Sequence, residues 1–436
     1  MRIERVTIKG LGINGEGICY IRKKICFVNQ GLVGDEVDIQ IDKEERRYML
    51  GHIVKFYKKS SQRIPSPCRE SRNCQGCAFM HMRYNDQLNY KREMIKESLM
   101  KYTDIDLDTI DLKPVIESSE PTGYRHEIGF PIGYYKGKLA IGVYQRGNRY
   151  FTFMNHCFLQ TDIINNTLVA IEDILNKYNC HDYNDRMQRG LRFIMVKQVE
   201  DSLSIVFITG TDGIKQLVTD EIEKLPYVSS VYYSINTAKY QEFEEKGYKR
   251  IYGDHLQTYH FKEHEYSLSI KSDILENPVM DLKLLEVLKR LIKKEDLLLS
   301  LYAGNGIIES ELDNDTIALE VESWHVEDAN RNALQNGMMN KMFAKGDVVE
   351  EFTYQSKKND FDTLLIHLNK EVLDEDLQES IIKSLIPSII FISDNVASAA
   401  KTITALSKRY KLDEYVALDS EPYTARVRSV VKLVRK

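Results

Sequence analysis

The stretch LLLSLYAGNGIIESELDNDTIALEVE, residues 297–322, decides how the last third of the chain folds. An apolar run enters a Gly-x-Gly turn and leaves it as the start of a helix. Such a continuous apolar strand is one buried on both faces, as in a parallel sheet. Gly304 and Gly306 let the backbone approach a ligand closely at a helix N-terminus, next to Tyr302. The second strand ends in Glu320, and a carboxylate there accepts hydrogen bonds from ribose hydroxyls. Asp347, in FAKGDVVEE, falls where a third strand end presents a polar group to an adenine. The plainer reading is a scaffold that keeps Glu320 and Asp347 with no ligand.

Outward from this stretch, FDTLLIHL (361–368), SIIFISDN (388–395) and LDEYVAL (412–418) are apolar strands alternating with helices. Residues 271–436 are therefore expected to form a doubly wound, Rossmann-like α/β domain with ligand at the carboxyl ends of its strands. An amphipathic helix opens it at 279–294. Between 124 and 270 strand-like runs dominate, including RHEIGFPIG, LRFIMVKQ and VSSVYYSI, with helices at 162–178 and 213–225. Residues 59–270 are expected to be a central α+β domain, with a helix at 84–101. Residues 1–58 alternate apolar and polar residues in short runs broken at Gly15, Gly17, Gly31 and Gly34, which suggests a five-stranded barrel of the OB type. Such barrels commonly hold nucleic acid. Arg22-Lys23-Lys24 would contact phosphate there, or form a solvated charged turn.

At 436 residues the chain is long enough for two or three domains. Its net charge of −5 argues against a large basic footprint but leaves local patches open. No apolar run reaches the roughly 18 residues of a membrane span, and the N-terminus lacks a signal-peptide core. The expectation is a cytoplasmic protein with no membrane partner.

All seven cysteines lie in the first half. Cys68-x5-Cys74-x2-Cys77 sits in a Ser- and Pro-rich loop that can fold three thiolates around one object, and Cys157 in FMNHCFLQ is the best fourth ligand. Four thiolates suit a [4Fe–4S] cluster or zinc. Cys19, Cys26 and Cys180 fall in strand or helix patterns and read as buried thiols.

The Gly turn with Glu320 and Asp347 at regular βα spacing suits a class I methyltransferase-like domain. Taken together, the pieces resemble the RNA (uracil-5-)-methyltransferases that modify tRNA and 23S rRNA, over nearly the whole chain. Residues 1–57 look like that family's TRAM barrel. CRESRNCQGCAFMHMRYNDQLNYKREMIKESL (68–99) resembles its cluster signature, YRHEIGF (124–130) its Tyr-Arg-Asn-Lys segment, LYAGNG (301–306) its Leu-Tyr-Cys-Gly-Val-Gly loop, and EDANRNALQNGMMN (327–340) its Asn-Ala/Asn-Gly stretch. The resemblance implies S-adenosylmethionine as donor and a [4Fe–4S] cluster on Cys68, Cys74, Cys77 and Cys157. It also implies RNA (rRNA or tRNA), or a ribosomal particle, as partner. Arg125, Arg189 and Arg192 are candidate RNA contacts by position, or plain surface charge.

The family's reaction adds a cysteine thiolate to uracil C6, making C5 nucleophilic, and a glutamate then removes the C5 proton. Here the Ser-Cys-Asn-Pro segment reads Ser393-Asp394-Asn395-Val396, so Asp394 holds the nucleophile position. The terminal segment places Arg428 where the glutamate stands. Asp-Pro-Pro-Arg reads His367-Leu368-Asn369-Lys370, Leu275 replaces a glutamine, and Ser300 replaces an aspartate before the Gly loop. A carboxylate is a poor nucleophile toward a conjugated carbon, and arginine is no base near neutral pH. Standard uracil-C5 activity is expected to be lost. The expected function is that of a catalytically degenerate or repurposed binder of RNA or ribosomal particles, with room for a protein partner. The alternative is an active RNA methyltransferase working through Asp394 or His367. Asp394 and Asn395 would otherwise cap a helix from Ala397, Arg426 and Arg428 would face solvent or phosphate, and Trp324 would cover the adenine pocket or pack its helix.

Overall fold

The computed structural model describes residues 2–74, 76–145, 150–238, 247–274, 277–368 and 372–436. The apolar runs of the last third become β1 (Leu298–Leu301), β2 (Thr316–Glu320), β3 (Lys341–Lys345), β4 (Thr363–Leu368) and β5 (Ser388–Ser393). These are followed by β6 (Tyr410–Leu418) and β7 (Arg428–Arg435), and the spatial order is 3-2-1-4-5-7-6. β1 to β5 pair in parallel, whereas β7 runs antiparallel between β5 and β6. The expected doubly wound α/β sheet is present, with β7 antiparallel at this edge. Residues 419–427 are too few for the helical crossover a parallel partner requires, so the chain turns straight back.

Successive residues of these strands feed two separate cores. In β5, Ile389 and Phe391 join one apolar cluster, while Ile390 and Ile392 join the other. The first core also takes Met94, Ile95 and Leu99 from the helix Tyr84–Tyr102, and the second takes Phe261, Tyr266 and Leu268 from the hairpin Leu256–Phe261/His264–Ser269. Both segments lie within residues 59–270, expected as one central domain, and both contribute side chains to cores shared with the C-terminal sheet.

The rest of that region is a seven-stranded sheet running from Lys249–Gly253 at one edge to Phe151–Phe153 at the other. The helix Asp162–Lys177 covers it with Ile164, Leu168, Ile171 and Leu175, spaced for one face, and Thr161 caps its N-terminus through the Ile164 N–H. The N-terminal strands form one six-stranded sheet, one more strand than expected, around Ile8, Cys19, Cys26, Val28, Val37 and Ile39. A β-carbon at Gly17 would stand 2.8 Å from the Gly31 Cα, so only glycine permits this close approach. Among the described residues no helix is long and apolar enough to cross a membrane.

Candidate functional site

A cleft of about 560 Å3 opens where three parts of the chain meet. Its walls are Ile13–Glu16 of the N-terminal barrel, Gly76–Ala78 of the cysteine loop, and Asp394–Ala397 with Thr424–Val427 of the C-terminal domain. The end of β5 places Asp394 in this wall, and Asn395 caps the following helix, Val396–Leu406, by accepting from the Ala397 and Ser398 N–H groups.

The two positions that depart most from the resembled family touch each other. Arg428 donates from Nε to Asp394 Oδ1 at 2.8 Å and from a terminal nitrogen to Asp281 Oδ1 at 2.9 Å. Asp281 is 2% exposed and Arg428 16%, whereas Asp394 keeps 40% of its side-chain surface open. Burial alone pushes the Asp394 carboxyl up, but the adjacent guanidinium outweighs it and holds the group below its ordinary range. At Asp281 burial wins and the carboxyl is raised despite Arg428.

At the carboxyl ends of β1 and β4 a second polar group forms. Glu309 is wholly buried, accepting from Ser300 Oγ at 2.8 Å and lying 2.8 Å from His367 Nε2. Burial disfavours its ionised form, yet His367 and Ser300 together hold the carboxyl below the usual range. Asn369, Lys370 and Leu275 lie outside the described residues.

The Gly loop follows β1 directly. Tyr302, with φ of 59°, occupies the left-handed region that non-glycine residues avoid. A β-carbon at Gly304 would meet nothing within 4 Å, so the loop leaves open space there; at Gly306 it would strike the Phe343 ring at 2.3 Å. Glu320 accepts from the Gly304, Val321 and Glu322 N–H groups. Asp347 caps the helix Val348–Lys358 through the Val349 and Glu350 N–H groups. Trp324 carries the Lys271 ammonium over its ring at 4.5 Å.

The candidate RNA-contacting cations are dispersed. Arg22 and Lys23 form a tight turn with positive φ at both, and Lys24 is held by Glu44 and the Glu45 carbonyl. Arg192 donates to the Asn236 and Ala238 carbonyls and lies over Tyr183, while Arg189 pairs its backbone with Asn184. Arg125 binds Glu421 at 3.1 Å and thereby links the central sheet to residues 419–427. The sequence reading matches this strap to the resembled family's terminal motif but gives it no packing role. Tyr124 donates to the Pro422 carbonyl, Phe79 N–H to the Tyr423 carbonyl, and Lys91 to buried Asp419.

The four cysteines expected to hold a metal lie in one region of the fold but do not form a ligand set there among the described residues. Cys68, Cys77 and Cys157 pack around Met80, Tyr124 and Leu159, and Cys74 lies within electrostatic reach of Cys68 and Cys157. All are free thiols. Burial pushes Cys68 and Cys74 up and Cys77 up to about 12. Among the described residues no three His, Cys, Asp or Glu side chains stand close enough to grip a single metal ion. Cys19 and Cys26 face each other across a strand pair inside the barrel, and Cys180 is buried in the central core, as the patterns suggested.

Residues 2–54 match the TRAM domain family. Over its whole length the chain is similar to proteins named uncharacterized RNA methyltransferases. That of Streptococcus agalactiae serotype III (strain NEM316) is 28% identical, with 99% of this chain and 98% of the relative covered. That of Streptococcus pneumoniae (strain ATCC BAA-255 / R6) is 29% identical, also with 99% and 98% covered. Among solved structures, the Pyrococcus abyssi tRNA (uracil-54, C5)-methyltransferase in complex with S-adenosyl-L-homocysteine superposes with a TM-score of 0.78. That match covers 99% of this chain and 100% of the other at 19% identity, a likeness of fold.

Proposed function

We propose that this chain, a member of the RNA (uracil-5-)-methyltransferase family, binds RNA in the three-part cleft without carrying out uracil-C5 methylation. One observation carries the reading: the side chains at the family's nucleophile and base positions, Asp394 and Arg428, are joined to each other, and Arg428 is joined in turn to Asp281. A carboxylate tied to a guanidinium is a still weaker nucleophile toward a pyrimidine C6 than a free one. The arginine stays protonated at any physiological pH and cannot take up the C5 proton. The substitutions therefore compensate each other as an ion pair, which is what a protein needs if it keeps its fold while losing the reaction. The RNA would be rRNA or tRNA, free or within a ribosomal particle.

The Gly loop fits a nucleoside-bearing donor. Gly304 leaves the space a ligand backbone approach needs, next to Tyr302 and Gly306. Glu320 would hold ribose hydroxyls with what remains of about four acceptor sites after three backbone N–H groups, and the side chain of Asp347, committed to its helix cap, would serve the adenine weakly. S-adenosylmethionine, if bound, supplies an electrophilic methyl group.

The cysteines fit a four-iron cluster better than a single ion. A cubane presents four separate metal corners and so tolerates thiolates that no one ion could reach together. Cys68, Cys74, Cys77 and Cys157 would hold the group, which would supply a cross-link between the loop and the central sheet. Anaerobically purified protein is expected to contain close to four iron and four sulfide per chain, and zinc at one per chain would refute the assignment.

A second reading, an active RNA methyltransferase without a cysteine nucleophile, is favoured by the His367–Glu309 pair, in which a buried carboxylate orients an imidazole as a general base is oriented. The deciding measurement incubates the protein with labelled S-adenosylmethionine and RNA lacking modification, with calorimetry for donor binding. RNA retention without 5-methyluridine is the expected result. Efficient 5-methyluridine formation would refute the proposal, and label on another base or a ribose would establish the second reading.

A further inference from the structure

We propose that His367 is a catalytic base through which the C-terminal domain methylates a ring nitrogen of an RNA base, a reaction distinct from attack at uracil C5. This rests on the RNA-binding reading above and on the donor fit of the Gly loop, and it gives the second reading its atoms. The groups concerned stand in one row. Two-residue alternation puts Ser300 on the sheet face of Leu298, His367 on that of Leu365, Asp394 on that of Ile392, and Arg428 on that of Val430. Those four apolar residues all belong to the second core. Because β1, β4, β5 and β7 are neighbours, the polar row crosses the sheet in that order, at the carboxyl ends of its parallel strands. His367 lies opposite Ile392, between the Gly loop that leaves β1 and Asp394 in the cleft wall. It therefore stands between the place of a donor and the place of a base.

The ring is oriented for taking up a proton. Glu309 Oε1 accepts from Ser300 Oγ and lies 2.8 Å from His367 Nε2. A carboxylate only accepts, so in the neutral ring Nε2 carries the proton and Nδ1 keeps the lone pair. Nδ1 has no hydrogen-bond partner among the described residues and is not sealed off, since 19% of the side chain is open. The second oxygen of Glu309, Oε2, is buried with no partner among the described residues, a cost that an inert scaffold has no reason to carry. A buried carboxylate that fixes an imidazole and answers its positive charge is the arrangement of a general base.

The step balances with a sulfonium methyl donor. The RNA base loses its N–H proton to His367 Nδ1, and the electron pair left on nitrogen forms the new N–C bond. The carbon–sulfur bond breaks with its pair left on sulfur, which turns the sulfonium into a neutral thioether. No adduct at C6 and no second base are needed, so neither the missing thiol nor the protonated Arg428 stands in the way. An imino N–H beside a carbonyl is far more acidic than an exocyclic amine or a ribose hydroxyl, and is the group an imidazole can deprotonate. Asp394, with 40% of its side chain open, can accept from the same base edge.

The full-length protein, labelled S-adenosylmethionine and unmodified tRNA and rRNA transcripts, followed by digestion to nucleosides, test this. Methyl label on a ring nitrogen is the expected product. His367→Ala should lower kcat by about a hundredfold or more with little change in KM for RNA. Glu309→Gln, at a positioning residue, should also lower kcat, because an amide can donate to Nε2 and drive the proton to Nδ1. Nitrogen-15 NMR of histidine-labelled protein, with His367→Ala to assign the ring, reads the tautomer without turnover. The proton should sit on Nε2 in the wild type and on Nδ1 in Glu309→Gln. Thermal melting separates these effects from unfolding, and His367→Ala keeps the test decisive if Glu309→Gln melts early. Undiminished product in His367→Ala, a wild-type Nδ1–H, label only on an amine or a ribose, or RNA retained without any label would overturn the inference and leave RNA binding standing. Formation of 5-methyluridine, or failure to retain RNA, would overturn the underlying reading as well.

Discussion

Replacing Arg428 with alanine will destabilise the folded protein by about 3–5 kcal/mol, the cost of leaving a buried charge without its partner. Most of that loss comes from Asp281, which is 2% exposed and otherwise held only by the Asn277 N–H among its described partners. Asp394, open to the cleft, contributes less because water screens it. Asp394→Asn should therefore be mild, Arg428→Ala severe, and Arg428→Ala/Asp281→Asn intermediate. Arg428→Lys should fall between wild type and alanine, since an ammonium cannot span both carboxylates as a planar fork does. Urea unfolding of the four variants checks the order; equal stability of Arg428→Ala and wild type would show that the ion pair does not hold this edge together. The pH dependence follows from the depressed Asp394 carboxyl. A depressed folded pKa gives stability that is present above the unfolded value of about 3.9 and is lost as pH falls through the folded one. Arg428→Ala should flatten that acidic limb, whereas the raised Asp281 carboxyl contributes with the opposite sign.

The second large effect lies at Lys91. Its ammonium and the Asp419 carboxylate are both wholly buried and bonded to each other, and Lys91 also donates to the Glu421 carbonyl at 3.2 Å. Lys91→Met should destabilise by about 3–5 kcal/mol, because Asp419 then remains charged or must take up a proton in the interior. The double variant Lys91→Met/Asp419→Leu should recover most of the loss, since apolar groups of similar size often replace a buried ion pair at little cost. A double variant as unstable as Lys91→Met alone would mean that the pair acts through its hydrogen bonds to the 419–427 strap rather than through its charges. That strap joins the cysteine loop to the cleft. Phe79 and Gln87 hold Tyr423, Tyr124 holds Pro422, and Arg125 and Arg426 hold Glu421.

Some of this was legible in the chain alone. The run 297–322 determined a buried parallel sheet with a glycine loop, because strand burial on both faces and tight turns leave local marks in residue type. The cysteines at 68, 74 and 77 announced one another by proximity, and Asp394 and Arg428 stood out as the wrong side chains for a reaction. What the sequence could not decide was that these two residues answer each other. Asp394 and Arg428 lie 34 positions apart, and Arg428 and Asp281 lie 147 apart. Periodicity carries no information across such distances, so each charge read singly was as well explained by a cap or a solvated surface. The same limit hid the partner of the helix Tyr84–Tyr102, whose apolar face is local but which packs against the helix Val396–Leu406, about three hundred residues later. The chain determines which faces must be covered and which charges must be answered; the packing of distant segments alone determines by what.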